Sequence, residues 1–177
     1  MSNHQVDPNP QMGELIPTKK CALELTYSDV YDLSAIEENV LFLYEILRQR
    51  PPCCYISHNK TPSMEQHVKY VMSHPYAEWW IIHALVDNPT QGMETGDGDG
   101  CDDVMVGNIY LTRADEIGIF VLDAYQRQGI ARTAITWMMK HHTGQLLANI
   151  NPANQKSIEL FKQLGFKHIQ NTYRRVV

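Results

Sequence analysis

The chain lacks the glycine-rich signatures of nucleotide enzymes. Its ten glycines form neither G-x-x-x-x-G-K-[ST] nor G-x-G-x-x-G, which excludes a Walker phosphate loop and a dinucleotide fingerprint. No apolar run approaches the roughly 20 residues of a membrane span. Basic residues are in deficit, 15 against 20 acidic for a net charge of −5, the wrong sign for a protein whose main partner is nucleic acid. The four cysteines, Cys21, Cys53, Cys54 and Cys101, contain no C-x-x-C pair. Cys53 and Cys54 are adjacent, which suits neither a routine disulfide nor a zinc site. The opening MSNHQVDPNPQMGELIP has no charged-then-apolar secretion pattern. A reducing, cytoplasmic setting is the expectation. No internal repeat is evident.

What is present suits one compact α+β domain. At 177 residues and 44% hydrophobic content, the chain can bury a core. Residues 1–18 read as a polar, proline-containing flexible arm, and residues 19–177 as a single domain. Cys21–Tyr27 alternates like a strand. Ser34–Gln49 reads as a helix with Ile36, Val40, Leu43 and Leu47 on one face, stopped by Pro51 and Pro52. Pro62–Ser73 reads as a second helix, capped by Ser63 with Gln66 three residues on. Its apolar stripe would be Met64, His67, Val68, Val71 and Met72. Glu78–Val86 is a strand.

Residues 87–103 are acidic and glycine-rich, the composition of a mobile excursion between strands. A calcium loop beginning at Asp97 would need glycine at 102 and glutamate at 108. The chain has Asp102 and Asn108 there, so no metal site is expected. Val104–Thr112 and Glu116–Leu122 form a hairpin, followed by a helix over Ala131–His142, a strand over Leu146–Ile150, a helix over Asn154–Leu164 and a final strand from Phe166. This order gives a mixed sheet flanked by helices.

The most informative stretch is Gln126–Ile135, QRQGIARTAI, which joins a strand to an amphipathic helix. The unpaired N–H groups of a helix's first turn, with about half a positive charge from the dipole, favour a phosphate there. Gly129 lets the backbone approach such a ligand, and Ala131 keeps the next position small. Main-chain amides of Gln128, Gly129, Ile130, Ala131 and Arg132 would face a diphosphate. The Arg127 and Arg132 side chains are candidate phosphate partners.

The pattern Q-x-x-G-x-A at Gln126, Gly129 and Ala131, after a strand ending in Val121, resembles the coenzyme-A loop of the GNAT superfamily of acyl-CoA N-acyltransferases. A second block, Asn154, Ser157, Ile158, Leu160, Phe161, Leu164, Gly165 and Phe166, is similar to that superfamily's asparagine-capped helix ending in Leu-Gly-Phe. The resemblance covers roughly the last third of the chain. It implies a mostly antiparallel sheet with about four helices, splayed beside the strand that binds the coenzyme. It implies acetyl-CoA as co-substrate and direct attack by an amine in a ternary complex. By the same resemblance, Val121 lies on the strand that pairs with the pantetheine arm, and Asn154, besides capping its helix, touches that arm.

Acyl transfer to an amine needs a held thioester, donors at the carbonyl oxygen and an unprotonated nitrogen. Glu116, at the start of the cradle strand, is the first candidate base, where some family members carry a glutamate. His67 is a second, since imidazole titrates near neutrality; its place on an apolar stripe also suits a packed core histidine. His58 and His83 are weaker candidates. Phe161 stands where many family members have a tyrosine that returns a proton to the departing sulfur, and Tyr173 and Tyr125 are the substitutes nearest to hand. A thiol of pKa about 8.5 leaves tolerably without help.

Ile56–Ile82, with its Ser-x-Glu-x-His helix and aromatic strand, is similar to amino-sugar N-acetyltransferases of bacterial glycan pathways, which act on a nucleotide-linked amino sugar. Tyr76, Trp79 and Trp80 would stack on a sugar or base, or serve as core. The expected partner is a small-molecule amine, without nucleic acid or membrane, the protein acting as a monomer or a homodimer. A protein acetyltransferase acting on a terminus or lysine, and a catalytically silent coenzyme-A binder, are the alternatives.

Overall fold

The computed structural model describes residues 23–55, 60–87 and 101–172. The expected arm at 1–18, most of the acidic excursion at 87–103, His58 and Tyr173 therefore lie outside the described residues. The element order is β1 (Leu25–Asp29), α1 (Ile36–Gln49), α2 (Met64–Met72), β2 (Glu78–Asp87), β3 (Cys101–Leu111), β4 (Ile117–Val121), α3 (Ile130–His141) and α4 (Gln155–Gln163). The four strands form one sheet in the order β1-β2-β3-β4, each neighbouring pair antiparallel. Alternating side chains send the two faces of that sheet to different helix layers. Ile117, Ile119 and Val121 of β4 join the core beneath α3 and α4, with Ala134, Ile135, Met138 and Phe161. Phe120 points the other way, into a second core with Val40, Leu43, Ile46, Val71, Trp79 and Ile81 under α1 and α2.

Local chemistry explains the helix boundaries. Ser63 caps α2 through a complete capping box: its hydroxyl accepts from the Gln66 N–H at 3.2 Å, and the Gln66 side chain accepts from the Ser63 N–H at 3.0 Å. Pro51 and Pro52 lack the N–H groups that would carry α1 onward. Asn154 caps α4, its Oδ1 accepting from the Ser157 N–H at 3.2 Å.

Three expectations from the sequence need correction. The α2 stripe is narrower than its period implies: His67 and Val71 are buried, whereas Met64, Val68 and Met72 are exposed. Residues 146–150 form no strand beyond a single parallel bridge between Glu116 and Leu147, because after Leu147 the chain has no backbone pairing with β4 or any other described strand. Residues 166–172 contain no strand.

Candidate active site

The site is built on the free edge of β4. Leu147 donates to the Asp115 carbonyl and accepts from the Ile117 N–H, both at 2.8 Å, and there the two parallel chains part. The Ile117 bond fixes which backbone groups face outward. In a strand, alternate residues present N–H and C=O to the same side. Leu122, one of the opposite set, donates to Val106 of β3 at 2.9 Å. The groups of Ile119 and the N–H of Val121 therefore point into the gap where residues 148–150 have diverged. An extended ligand carrying amides can add there as a strand would.

At the end of β4 the chain turns through a short 3-10 segment, Asp123–Tyr125, into the cradle. Gln126 folds its side chain back, its Nε2 donating to the Val121 carbonyl at 3.1 Å and to Asp123 Oδ1 at 2.6 Å. Its part is to pin the turn. Gly129 is the N-cap of α3 with φ +86°, and Arg127 also holds a positive φ of +63°. A non-glycine residue in that region costs about 1–2 kcal/mol, a strain with no sequence signal. No backbone acceptor among the described residues takes the N–H groups of residues 127–132; the first bonded one is Thr133, to the Gly129 carbonyl at 3.0 Å. The free first-turn amides of α3 and its dipole favour an anion at this end of the helix. The Arg127 side chain is exposed. Arg132 instead donates to Gln163 Oε1 and ties α3 to α4.

Around the gap, Glu116 is half-buried and accepts from Asn149 Nδ2 at 2.7 Å. Asn154 donates through Nδ2 to the Cys54 sulfur at 3.3 Å, and Asn151 donates to the Tyr55 carbonyl at 2.7 Å. These two bonds bring the segment after α1 against the start of α4. Burial, with Cys53 alongside, pushes the Cys54 thiol up to about 11, so it is protonated at neutral pH. Tyr110 of β3 lays its ring over Gly118 of β4, so closely that a Cβ there would stand 2.0 Å from Tyr110 Cζ. Tyr110 stacks on Tyr76 with centroids 4.0 Å apart. Sequence reasoning missed Cys54, Tyr110, Asn149 and Asn151, because nothing local links them to the loop.

The remaining candidates sit elsewhere. His67 is 2% exposed, packed between α1 and α2 beside Tyr44. Its Nε2 lies 3.0 Å from the Val40 carbonyl; a carbonyl only accepts, so that nitrogen carries the proton. Desolvation lowers its pKa, overriding the opposing bond to Val40. His83 faces Ser28 at 2.9 Å in the β1–β2 pair. Phe161 is buried edge-on to Phe166, centroids 5.0 Å apart. Trp79 packs edge-on to Tyr76 in the α1/α2 core, while Trp80 packs against Trp137 on the other face. Tyr125 is half-buried just before the cradle. No group of three or more metal-ligating side chains occurs among the described residues, and no helix among them is long and apolar enough to cross a membrane.

Residues 43–166 match the model of the acetyltransferase (GNAT) family. No curated protein sequence shows a significant match to the chain. Among solved structures, a domain from Methanocaldococcus jannaschii aligns with a TM-score of 0.65 at 19% identity, covering 85% of this chain and 93% of that one. A spermidine N-acetyltransferase chimera from Vibrio cholerae and hSSAT aligns at 0.55 and 14% identity, covering 78% of each chain. A putative acetyltransferase from Salmonella typhimurium, solved with acetyl-CoA, aligns at 0.50 and 16% identity, covering 82% of this chain and 80% of that one. At such identities the likeness is one of fold.

Proposed function

The chain belongs to the GNAT acetyltransferase family, and from that premise we propose that it moves an acetyl group from acetyl-CoA to a primary amine by direct attack in a ternary complex. One observation carries the reading: the amides of residues 127–132 and the β4 edge at Ile119 and Val121, neither with a backbone partner among the described residues, lie toward the same end of β4. A diphosphate seated on Gln128–Arg132 leaves its pantetheine arm to run along β4, and the thioester then lies in the gap beside Glu116 and Asn149. Fit supports this. Gly129 presents no side chain to the opening, and a Cβ there would meet only Leu23 Cδ2 at 3.6 Å.

In this account Glu116 takes the amine's proton, directly or through water. Its anion is held in place by the Asn149 amide, at 2.7 Å. His67 is a tie between α1 and α2 rather than the base: its one N–H is spent on Val40 and burial keeps it neutral. Asn154 joins the α4 cap to the coenzyme side of the gap. Phe161 cannot donate a proton, so the CoA thiolate leaves unaided or takes its proton from water.

For the acceptor, the similarity of Ile56–Ile82 to amino-sugar N-acetyltransferases supports a nucleotide-linked amino sugar as the first substrate class to try. Relatives in fold carry other amines in their names, spermidine and aminoglycoside among them. The test is release of free CoA from acetyl-CoA with a panel of amino-sugar nucleotides, polyamines, aminoglycosides and short peptides. Stimulation by an amino-sugar nucleotide supports the full reading. Stimulation by peptides alone moves the assignment to a protein acetyltransferase. CoA binding without stimulated release makes the chain a silent coenzyme binder.

A further inference from the structure

Arg50 sits where α1 ends, as its C-cap, with its guanidinium carbon 5.7 Å from the centre of the Phe120 ring. Phe120 belongs to the α1/α2 face of β4, the face opposite α3 and α4. Arg50 is half-buried. Among the described residues no carboxylate lies within ion-pair distance of it; the acid one turn earlier, Glu45, pairs with Arg48 at 3.3 Å. A guanidinium partly withdrawn from water, with no anion beside it among the described residues, is poised for a planar, bidentate partner such as a carboxylate or phosphate.

A negative charge stands on the same side. Glu116 shares the alternation of Gly118 and Phe120 along the β4 segment, so its side chain leaves toward the same face. Between the two charges lies Tyr110, its ring over Gly118. The Tyr110 hydroxyl, held up chiefly by burial, also feels Arg50 and Glu116 in opposite senses. Asn108, paired with Phe120 across the sheet, is 4% exposed and its Oδ1 has no partner among the described residues. The face therefore offers a cation, an anion, an aromatic floor and a buried acceptor within a few residues of the β4 edge.

We propose that Arg50 is the anion-recognition residue of the acceptor site, so that the substrate amine also carries a carboxylate or phosphate group. This rests on the acetyltransferase reading and narrows it. The nitrogen is directed toward Glu116 and the thioester, while the anionic group docks on the guanidinium over Phe120. Amines without an anion lack that anchor.

The test uses the whole chain and matched amines: aminohexanoate against hexylamine, and an aminoalkyl phosphate against its alcohol. Free CoA release is followed for wild type, Arg50→Gln and Arg50→Lys. Calorimetric titration of the CoA-loaded protein with the same amines reads binding without turnover. The expected result is a preference for the anionic member of about ten- to a hundredfold, the span of a charge-assisted contact. In Arg50→Gln the anionic member falls to the level of its neutral partner, through KM rather than kcat, and Arg50→Lys recovers part of the loss. The carboxylate and phosphate arms identify which anion is held. Equal losses for both members of a pair, or weaker acetyl-CoA binding in Arg50→Gln, overturn the proposal; the latter assigns the guanidinium to the donor. Absent turnover with Arg50-dependent binding of the anionic amines upholds it and counts against the transferase reading alone.

Discussion

Gly129→Asp separates ligand binding from folding at the cradle. Gly129 holds φ +86°, and an added Cβ meets only Leu23 Cδ2 at 3.6 Å, so the steric cost is confined to the backbone, about 1–2 kcal/mol. Aspartate at an N-cap next to the positive end of α3 recovers about 0.5–1 kcal/mol. Net destabilisation is therefore about 1 kcal/mol, or about 2–4 °C in Tm for a domain of this size. Binding suffers far more. A carboxylate about 5 Å from a diphosphate, at an exposed position with an effective dielectric between about 20 and 80, costs about 1–3 kcal/mol per charge pair. It also occupies amide donors, each contributing about 1 kcal/mol. Together these weaken CoA binding by about a hundredfold or more. Gly129→Ala is the control, with the same backbone strain and no charge; its affinity falls by less than about tenfold. Calorimetric titration with CoA gives the affinities and thermal denaturation gives the stabilities. Undiminished affinity in Gly129→Asp refutes the placement of the diphosphate, as does an equal loss in the alanine control.

Three further outcomes follow from the same geometry. Glu116→Gln should lower kcat/KM about a hundredfold while CoA affinity holds; retained activity would disqualify Glu116 as the base. Gly118→Ala drives a Cβ to 2.0 Å from Tyr110 Cζ, and the displaced ring should cost about 1–3 kcal/mol in denaturant unfolding. In a Tyr110→Ala background the same change should be close to neutral, and an undiminished cost there would contradict the contact. For His67, burial lowers the folded pKa, so below about 6.5 the unfolded chain takes up a proton that the folded chain resists. Its contribution is thus present above that pH and lost as pH falls. Urea unfolding at pH 7.5 and pH 5 should show a smaller pH-dependent loss in His67→Leu than in wild type; identical losses would place the histidine in solvent.

Local signals carried most of the fold. The Ser63–Gln66 capping box, the double proline after α1 and the glycine before α3 all act within one turn of chain. The helices built on them fall within two residues of the expected bounds. Periodicity misled where burial depends on what lies opposite. The α2 stripe includes Met64, Val68 and Met72, yet only the His67–Val71 edge meets α1 and the sheet. Residues 146–150 have strand composition but lose their partner after Leu147, which leaves the rest of the β4 edge without a backbone partner among the described residues. The strand–turn–helix junction was readable from Gln126, Gly129 and Ala131, whereas the left-handed turn at Arg127 was not. Arg50 meets Phe120 of β4, and Cys54 meets Asn154, only through tertiary packing between segments far apart in sequence.

The proposed transfer requires that amides around residue 129 hold a diphosphate and lay a thioester along β4. A crystal structure of the protein with acetyl-CoA tests it most directly. Diphosphate oxygens are expected within about 3 Å of the N–H groups of Gln128–Arg132, with the pantetheine paired to Ile119 and Val121 and the acetyl group beside Glu116. A coenzyme bound elsewhere, with that turn in contact with solvent alone, would contradict it.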